Sequence, residues 1–122
     1  MPMKKILIAD DEPNIIMSLE YSLKKNNFQV FIARDGQEAL EILETETPDA
    51  IILDIMMPNL DGFATLEHIK SKPELAGCKV LFLSAKNKDA DIEKGLSLGA
   101  DAYLTKPFSV KKLIETTQKL IE

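Results

Sequence analysis

Residues 50–62 read AIILDIMMPNLDG, and this stretch decides how the rest of the chain is interpreted. Its first four residues are apolar, which is typical of a strand that helices cover on both faces of a parallel sheet. A carboxylate, Asp54, follows that run directly, and Asp61-Gly62 precede a segment with helical apolar spacing. The stretch therefore predicts a buried strand, an acidic loop and a helix, in that order.

Four other stretches have a similar strand-like character. With the first, they predict strands at residues 5–9 (KILIA), 29–33 (QVFIA), 50–53 (AIIL), 79–84 (KVLFLS) and 100–104 (ADAYL). Amphipathic segments separate these strands, and such alternation is typical of an open parallel α/β sheet. We therefore expect five strands and five helices in one sheet-centred fold.

Start and stop signals place the helices. Pro13 suits the first turn of a helix that continues to about residue 26, because its missing N–H loses no bond there. Asp35 followed three residues later by Glu38 is a capping-box pattern, and the second helix should end before Pro48. The remaining helices are predicted to follow Asp61-Gly62, to cover residues 89–98 and to open at Ser109.

Composition limits the class of protein. The chain has 122 residues, 45% hydrophobic and 29% charged, which predicts a single domain over residues 1–122. A net charge of -5 argues against a nucleic-acid-binding face, since duplex binding needs clustered Lys and Arg. No apolar run approaches the ~18 to 20 residues of a membrane span, and the N-terminus lacks a signal-peptide pattern. With Cys78 as the only cysteine, we expect a cytoplasmic protein without membrane contact.

Polar side chains follow or end four of the five predicted strands. They are Asp10 and Asp11 after strand 1, Asp54 after strand 3, Ser84 in strand 4 and Lys106 after strand 5. In parallel α/β sheets the ligand site lies outside the carboxyl ends of the strands, so these groups should converge. Three close carboxylates repel one another and need a cation or a proton, and oxygen-only ligands favour Mg²⁺.

These groups are the parts that phosphoryl transfer requires. A metal and a lysine can neutralise the phosphoryl oxygens while a nucleophile attacks in line, and Asp54 is the predicted nucleophile, giving an aspartyl phosphate. Taken alone, Asp11 or Asp61 could equally be a helix N-cap. The coincidence of such groups at four strand ends is what favours a site.

The chain resembles the receiver domains of bacterial two-component response regulators, in particular the chemotaxis-regulator-like ones. The resemblance covers essentially the whole chain. It is carried by Asp10-Asp11, residues 54–62, Ser84-Ala85, and Tyr103 before Lys106-Pro107-Phe108. It implies a flavodoxin-like, doubly wound five-stranded parallel sheet in the order 2-1-3-4-5, with five helices.

The resemblance assigns roles around the acceptor. Asp54 would be phosphorylated, and Lys106 would contact the acyl phosphate. Mg²⁺ would be ligated by Asp11, by Asp54 and by the backbone carbonyl of Met56, and by Asp10 through water.

The resemblance also implies a switch. Ser84 would move towards the phosphoryl group, and the space it leaves would let the Tyr103 ring turn from exposed to buried. The face formed by helix 4, strand 5 and helix 5 would change as a result. The Lys106–Pro107 bond is expected to be cis.

We therefore expect a phosphorylation-dependent signalling switch rather than an enzyme, limited to self-catalysed phosphotransfer and autodephosphorylation. Its partners would be a sensor histidine kinase or phosphotransfer protein and an output domain or target protein. Met56 and Lys86 occupy positions that tune access of water, and an apolar Met predicts slow loss of the phosphoryl group. Lys112 and Thr116 stand where dimerising relatives carry an acidic residue and an arginine, so we expect a monomer or a weak phosphorylation-dependent dimer.

Two other functions are compatible with parts of the pattern. A Mg²⁺-dependent phosphohydrolase with an aspartyl-phosphate intermediate would also use strand-end carboxylates. Such enzymes normally carry Asp-x-Asp after the first strand, whereas Asp10 and Asp11 are adjacent. A flavin-binding electron carrier needs a phosphate loop rich in Ser, Thr and Gly, whereas residues 10–13 (DDEP) would repel a phosphate.

Overall fold

A computed structural model of the protein describes residues 3–122. The strands are β1 (Lys5–Ala9), β2 (Gln29–Ala33), β3 (Ala50–Leu53), β4 (Lys79–Ser84) and β5 (Ala102–Thr105). The α-helices are α1 (Pro13–Lys25), α2 (Gly36–Ile42), α3 (Gly62–Lys70), α4 (Asp89–Ser97) and α5 (Val110–Ile121). A short 3₁₀ turn, Pro73–Leu75, links α3 to β4.

The five strands form one parallel sheet in the order β2-β1-β3-β4-β5. In β1, Ile6 pairs with Val30 of β2 on one side and with Ala50 of β3 on the other. The winding direction therefore reverses between β1 and β3, which places the expected ligand site at their carboxyl ends. This topology confirms the predicted fold.

Two apolar layers cover the two faces of the sheet, and successive strand residues alternate between them. Ile6 and Ile8 point to the layer that includes Leu19 and Leu23 of α1 and Leu113 of α5. The opposite layer contains Leu7 and residues of α2 and α3, namely Ala39, Phe63, Leu66 and Ile69. Burying one such large side chain stabilises the fold by about 1.5–3 kcal/mol, so these layers hold the carboxyl ends of the strands in fixed register.

Side-chain caps begin three of the helices where the sequence predicted. Asp35 accepts a hydrogen bond from the Glu38 amide at 2.8 Å, and Asp61 accepts one from the Ala64 amide at 2.8 Å. Ser109 accepts one from the Lys112 amide at 3.2 Å. These bonds satisfy donors that lack partners within the helix, which fixes where α2, α3 and α5 begin.

One predicted element is displaced in the structure. The fifth strand begins at Ala102 and continues to Thr105, not from residue 100 to Leu104. Gly99 adopts a positive φ of 109°, and the Asp101 carboxylate accepts a hydrogen bond from the Val80 amide at 2.8 Å. These features hold residues 99–101 in a turn, so β5 begins two residues later than predicted.

Candidate functional site

The carboxyl ends of β1 and β3 bring two carboxylates into a buried position. Asp10 follows β1 and is 2% exposed, and Asp54 follows β3 and is 3% exposed. With Glu12 they form a group whose carboxylate oxygens lie within 4.8 Å of one another. The three oxygens can approach a single cation. The sequence predicted a cation at this edge of the sheet, but with Asp11 in the place that Glu12 takes.

Lys106 lies against all three carboxylates. Its Nζ is 2.7 Å from Glu12 Oε1, 3.0 Å from Asp10 Oδ2 and 3.6 Å from Asp54 Oδ2. Burial disfavours the charged form of the lysine, but its hydrogen bonds with Glu12 and Asp10 outweigh that effect and raise its pKa. Lys106 therefore stays protonated and supplies a positive charge beside Asp54.

The electrostatics of Asp54 are dominated by burial. Burial and the neighbouring charge of Asp10 raise the pKa of Asp54 to about 6, although Lys106 and the Ile55 amide favour the charged form. The Ile55 amide donates to Asp54 Oδ1 at 2.8 Å, which leaves Oδ2 on the side of Lys106. Burial also raises the pKa of Asp10. One lysine thus compensates incompletely for this charge cluster, and a cation would stabilise it.

The third carboxylate of the group is Glu12, which the sequence reasoning missed. Its amide donates to Asp10 Oδ1 at 2.9 Å, so a tight turn after β1 brings Glu12 back towards Lys106. The adjacent Asp11 is exposed and lies outside the group. An Asp at the end of β1 followed two residues later by a carboxylate was the available signal, since Asp side chains commonly accept from the amide two residues on.

A second missed feature is the close contact between α3 and the β3–α3 loop, residues 54–61. A Cβ atom on Gly62 would lie 2.2 Å from the Asp54 carbonyl oxygen and 2.7 Å from Ile55 Cα. No side chain fits between them, so Gly62 allows α3 to pack directly against Asp54. Asn59 in the same loop has a φ of 66° and donates to Asp35 Oδ2 at 2.6 Å, which ties the loop to the start of α2.

Ser84 and Tyr103, the predicted switch pair, converge on the backbone of Lys86. Ser84 is fully buried, and its Oγ accepts from the Lys86 amide at 3.2 Å. The Tyr103 hydroxyl donates to the Lys86 carbonyl at 2.6 Å, and its ring centroid is 5.8 Å from that of Phe82. Burial raises the pKa of Tyr103. The tyrosine is therefore half-buried and already turned inward in the unphosphorylated chain, whereas the sequence predicted an exposed ring for that state.

Two predicted features of the site remain, the peptide bond before Pro107 and the Met56 side chain. The Lys106–Pro107 bond is cis, as expected. Met56 is 59% exposed and lines one cleft together with Lys86, Phe63 and Lys94. The Met56 side chain thus lies at the surface of the β3–α3 loop.

A protein-family model described as the response regulator receiver domain matches residues 6–118. The chain belongs to this family. The alkaline phosphatase synthesis transcriptional regulatory protein PhoP of Bacillus subtilis (strain 168) is 44% identical over 110 residues. That alignment includes 90% of this receiver chain but only 45% of PhoP, so the chain spans less than half the length of that curated relative.

Solved structures resemble the receiver chain along almost its entire length. The receiver domain of the Francisella response regulator 1452 has a TM-score of 0.90 and 36% identity, covering 97% of this chain and 96% of that one. The chemotaxis response regulator CheY4 of Vibrio cholerae has a TM-score of 0.92 and 28% identity, covering 98% and 99%. The receiver domain of sensor histidine kinase PA1611 from Pseudomonas aeruginosa PAO1 has a TM-score of 0.90 and 28% identity, covering 98% of both chains. That structure holds a magnesium ion in its active-site cleft.

The general function of this family is phosphorylation-dependent signalling in two-component systems, which confirms the predicted class of function. The phosphohydrolase alternative is not favoured.

Among the described residues, 3–122, no helix has the length and apolar character needed to cross a membrane.

Proposed function

We propose that Asp54 is the phospho-acceptor of this receiver domain. The observation that supports this assignment best is its burial beside Asp10, with the Lys106 ammonium 3.6 Å from Asp54 Oδ2. In the transfer, an Asp54 oxygen attacks the phosphorus of a phosphohistidine. The P–N bond breaks, a P–O bond forms, and the leaving imidazole takes up a proton.

A hard divalent cation fits the donor set, and we assign it as Mg²⁺. The acidic group offers oxygen donors only, two of its three carboxylates are buried, and their pKa values are raised in the absence of a cation. On the family pattern, Asp11, Asp54 and the Met56 carbonyl would hold the ion directly, and Asp10 through water. In this structure Asp11 lies outside the acidic group, whereas Glu12 is near enough to contribute. When bound, Mg²⁺ supplies positive charge to the phosphoryl oxygens.

Lys106 and Ser84 complete the chemistry from the chain's own side. Lys106 already lies beside Asp54 and can exchange its bond with Glu12, which is 55% exposed, for one with a phosphoryl oxygen. Ser84 ends β4 with a buried hydroxyl that can donate to the same group. Ser84 would then give up its hydrogen bond with the Lys86 amide. Because the Lys86 carbonyl also accepts from the Tyr103 hydroxyl, this change would couple phosphorylation to Tyr103.

The output would be carried by the face that α4, β5 and α5 form. The phosphoryl donor would be a sensor histidine kinase or phosphotransfer protein, and the receiver would act on an output domain or target protein in the cytoplasm. Neither DNA nor a membrane would be a direct partner. The receiver would be no enzyme for a small substrate, because its chemistry is limited to its own phosphorylation and dephosphorylation.

The lifetime of the phosphoryl group follows from the cleft beside the acceptor. Met56 and Lys86 line that cleft together with Ile55, the residue that follows Asp54, and the apolar Met56 side chain would hinder the approach of water to Asp54. We expect slow dephosphorylation, and Met56→Asn should accelerate it several-fold by admitting water. A time course of the phosphorylated mass with Mg²⁺ present measures this; equal rates for the two proteins would contradict it.

The experiment that tests the proposed function offers the protein an excess of a phosphohistidine-containing donor with Mg²⁺. We expect one phosphoryl group per wild-type chain and none on Asp54→Asn. Asp61→Asn is the matched control, because its side chain is exposed and the amide oxygen can still cap α3. Continuous release of phosphate over many turnovers would instead favour the phosphohydrolase, and transfer to Asp54→Asn would refute the acceptor assignment.

A further inference from the structure

Gly95 occupies an unusual position in α4. It lies in the interior of that helix, where glycine is less favourable than alanine, and it is the buried residue of α4. Its φ lies in the range that other residues adopt, because the positive φ angles of the described chain occur at Asn27, Asn59 and Gly99. The backbone therefore does not require a glycine at this position, and the reason must be space.

The space is filled by two aromatic rings. A Cβ atom on Gly95 would lie 3.0 and 3.1 Å from Cδ2 and Cε2 of Phe82, and 3.1 Å from Cδ2 of Tyr103. These distances are below ordinary van der Waals contact, so at least one neighbour would have to move. Because Gly95 has no side chain, its backbone forms one wall of the space that holds the inward Tyr103 ring.

The two rings differ in their freedom to move. Phe82 is fully buried and packs edge-on against Phe63, with their centroids 5.6 Å apart. Tyr103 is half-buried on β5, an edge strand, and one hydrogen bond to the Lys86 carbonyl holds its hydroxyl. An added methyl group would therefore displace Tyr103 more readily than Phe82.

We propose that Gly95 is a positioning residue for the switch, because its lack of a side chain admits the Tyr103 ring to the inward orientation. The same contact also stabilises α4, because the inward Tyr103 ring packs against that helix at Gly95. Next to Gly95 in α4, the Lys94 ammonium lies 4.5 Å from the centre of the Phe63 ring. The role assigned to Tyr103 rests on the proposed function, whereas its packing against Gly95 does not.

The first test measures the orientation of Tyr103 without phosphorylation. In a Tyr21→Phe background, labelling with 3-fluorotyrosine gives one ¹⁹F resonance, that of Tyr103. We expect Gly95→Ala to move this resonance towards the solvent-exposed value and to increase its shift between H₂O and D₂O. Gly77→Ala is the matched control, because a Cβ there meets nothing within 4 Å. An unchanged resonance in Gly95→Ala, or the same change in both variants, would overturn the proposal.

A double-mutant cycle keeps the proposal testable if Gly95→Ala folds poorly. With Tyr103 present, Gly95→Ala should lower the melting temperature or leave it unchanged, because steric displacement opposes the better helix propensity of alanine. In a Tyr103→Ala background the same change should raise the melting temperature by about 2–6 °C. Equal effects in both backgrounds would show that Tyr103 does not sense Gly95. Since neither readout uses phosphotransfer, failure of this inference is distinguishable from failure of the acceptor assignment.

Discussion

At the scale of single residues, the site holds two carboxylates in an unfavourable state. Asp10 and Asp54 are buried side by side, and Lys106 is shared between them and Glu12. Stored repulsion of this kind is useful in a switch, because a cation that relieves it, or a phosphoryl group that adds negative charge to it, changes the energy of the whole site. The cost should be measurable as a stability penalty of the unmodified protein.

The stability penalty of burying the charged Asp54 depends on pH, and the raised pKa of Asp54 sets the direction of that dependence. Because the folded-state pKa is raised from 3.8 to about 6, folding favours the protonated form. The penalty is absent below the unfolded pKa, grows as pH rises through this window and is complete above about pH 6. Asp54→Asn removes the charge and should stabilise the protein at pH 8 by about 1–3 kcal/mol, with the gain vanishing near pH 4.

Urea denaturation in the presence of a chelator measures this difference at the two pH values. Asp11→Asn serves as control in the chelator-containing samples only, where no metal can bind, because that neighbouring carboxylate is exposed and its loss should change stability by less than about 0.5 kcal/mol. Added Mg²⁺ should narrow the gap between wild type and Asp54→Asn. A variant less stable than wild type at pH 8 without metal would contradict the account.

At the scale of elements, the Asp35 carboxylate connects the start of α2 to the β3–α3 loop, residues 54–61. Asp35 accepts from the Glu38 amide at 2.8 Å and from the Asn59 side chain at 2.6 Å. The hydrogen bonds from Glu38 and Asn59 lower the pKa of Asp35. Asp35 thus joins an ordinary helix cap to the loop that follows Asp54, on the opposite side from Lys106.

Asp35→Ala should destabilise the protein at pH 7 by about 1–2 kcal/mol, while Asp35→Asn should lose less because it still accepts the cap bond. Since the folded pKa is lowered, the contribution of Asp35 is complete above its ordinary pKa and is lost as pH falls below it. The difference between wild type and Asp35→Ala should therefore shrink by pH 3. Chemical denaturation at both pH values checks this, and a difference that grows on acidification would refute it.

Elements with strong local signals could be predicted from the sequence. The apolar runs of β1, β3 and β4 and the caps at Asp35, Asp61 and Ser109 lie where the residues indicated. The start of β5 could not be predicted, because the side-chain bond of Asp101 to Val80 is a tertiary contact 21 residues apart.

The same distinction applies to the site. The strand-end rule predicted that five side chains converge at the carboxyl edge of the sheet, namely Asp10, Asp11, Asp54, Ser84 and Lys106. Asp11 is instead exposed and lies outside the acidic group. Glu12 was missed because its approach to Lys106 depends on a turn rather than on a strand end. The packing of Gly62 and Gly95 was also inaccessible, since a glycine in a sequence does not reveal what lies where its Cβ would be.

At the scale of the whole molecule, the question is whether phosphorylation creates a symmetric dimer through the face of α4, β5 and α5. Lys112 is exposed on α5, and the Thr116 hydroxyl donates to the Lys112 carbonyl at 2.8 Å. The pair that dimerising relatives use, an acidic residue and an arginine, is thus replaced by a cation and a hydroxyl engaged with its own helix. At these two positions, opposite charges that could pair two copies are therefore missing.

The phosphorylated protein should therefore remain a monomer, or at most a weak dimer, at micromolar concentration. Sedimentation velocity before and after phosphorylation measures this, with Asp54→Asn under the same conditions as the unphosphorylated reference. A stable dimer that forms only on phosphorylation and is lost in Lys112→Glu would contradict the expectation.

The central claim is that Asp54 receives a phosphoryl group in a reaction that this domain assists with its own carboxylates, Lys106 and Mg²⁺. Intact-mass spectrometry after incubation with a small acyl phosphate tests it most directly, with wild type, Asp54→Asn and a metal-free sample run in parallel. We expect one phosphoryl group on the wild type with Mg²⁺ and none in the other two samples. Equal phosphorylation of Asp54→Asn, or none on the wild type with either an acyl phosphate or a phosphohistidine donor, would contradict it.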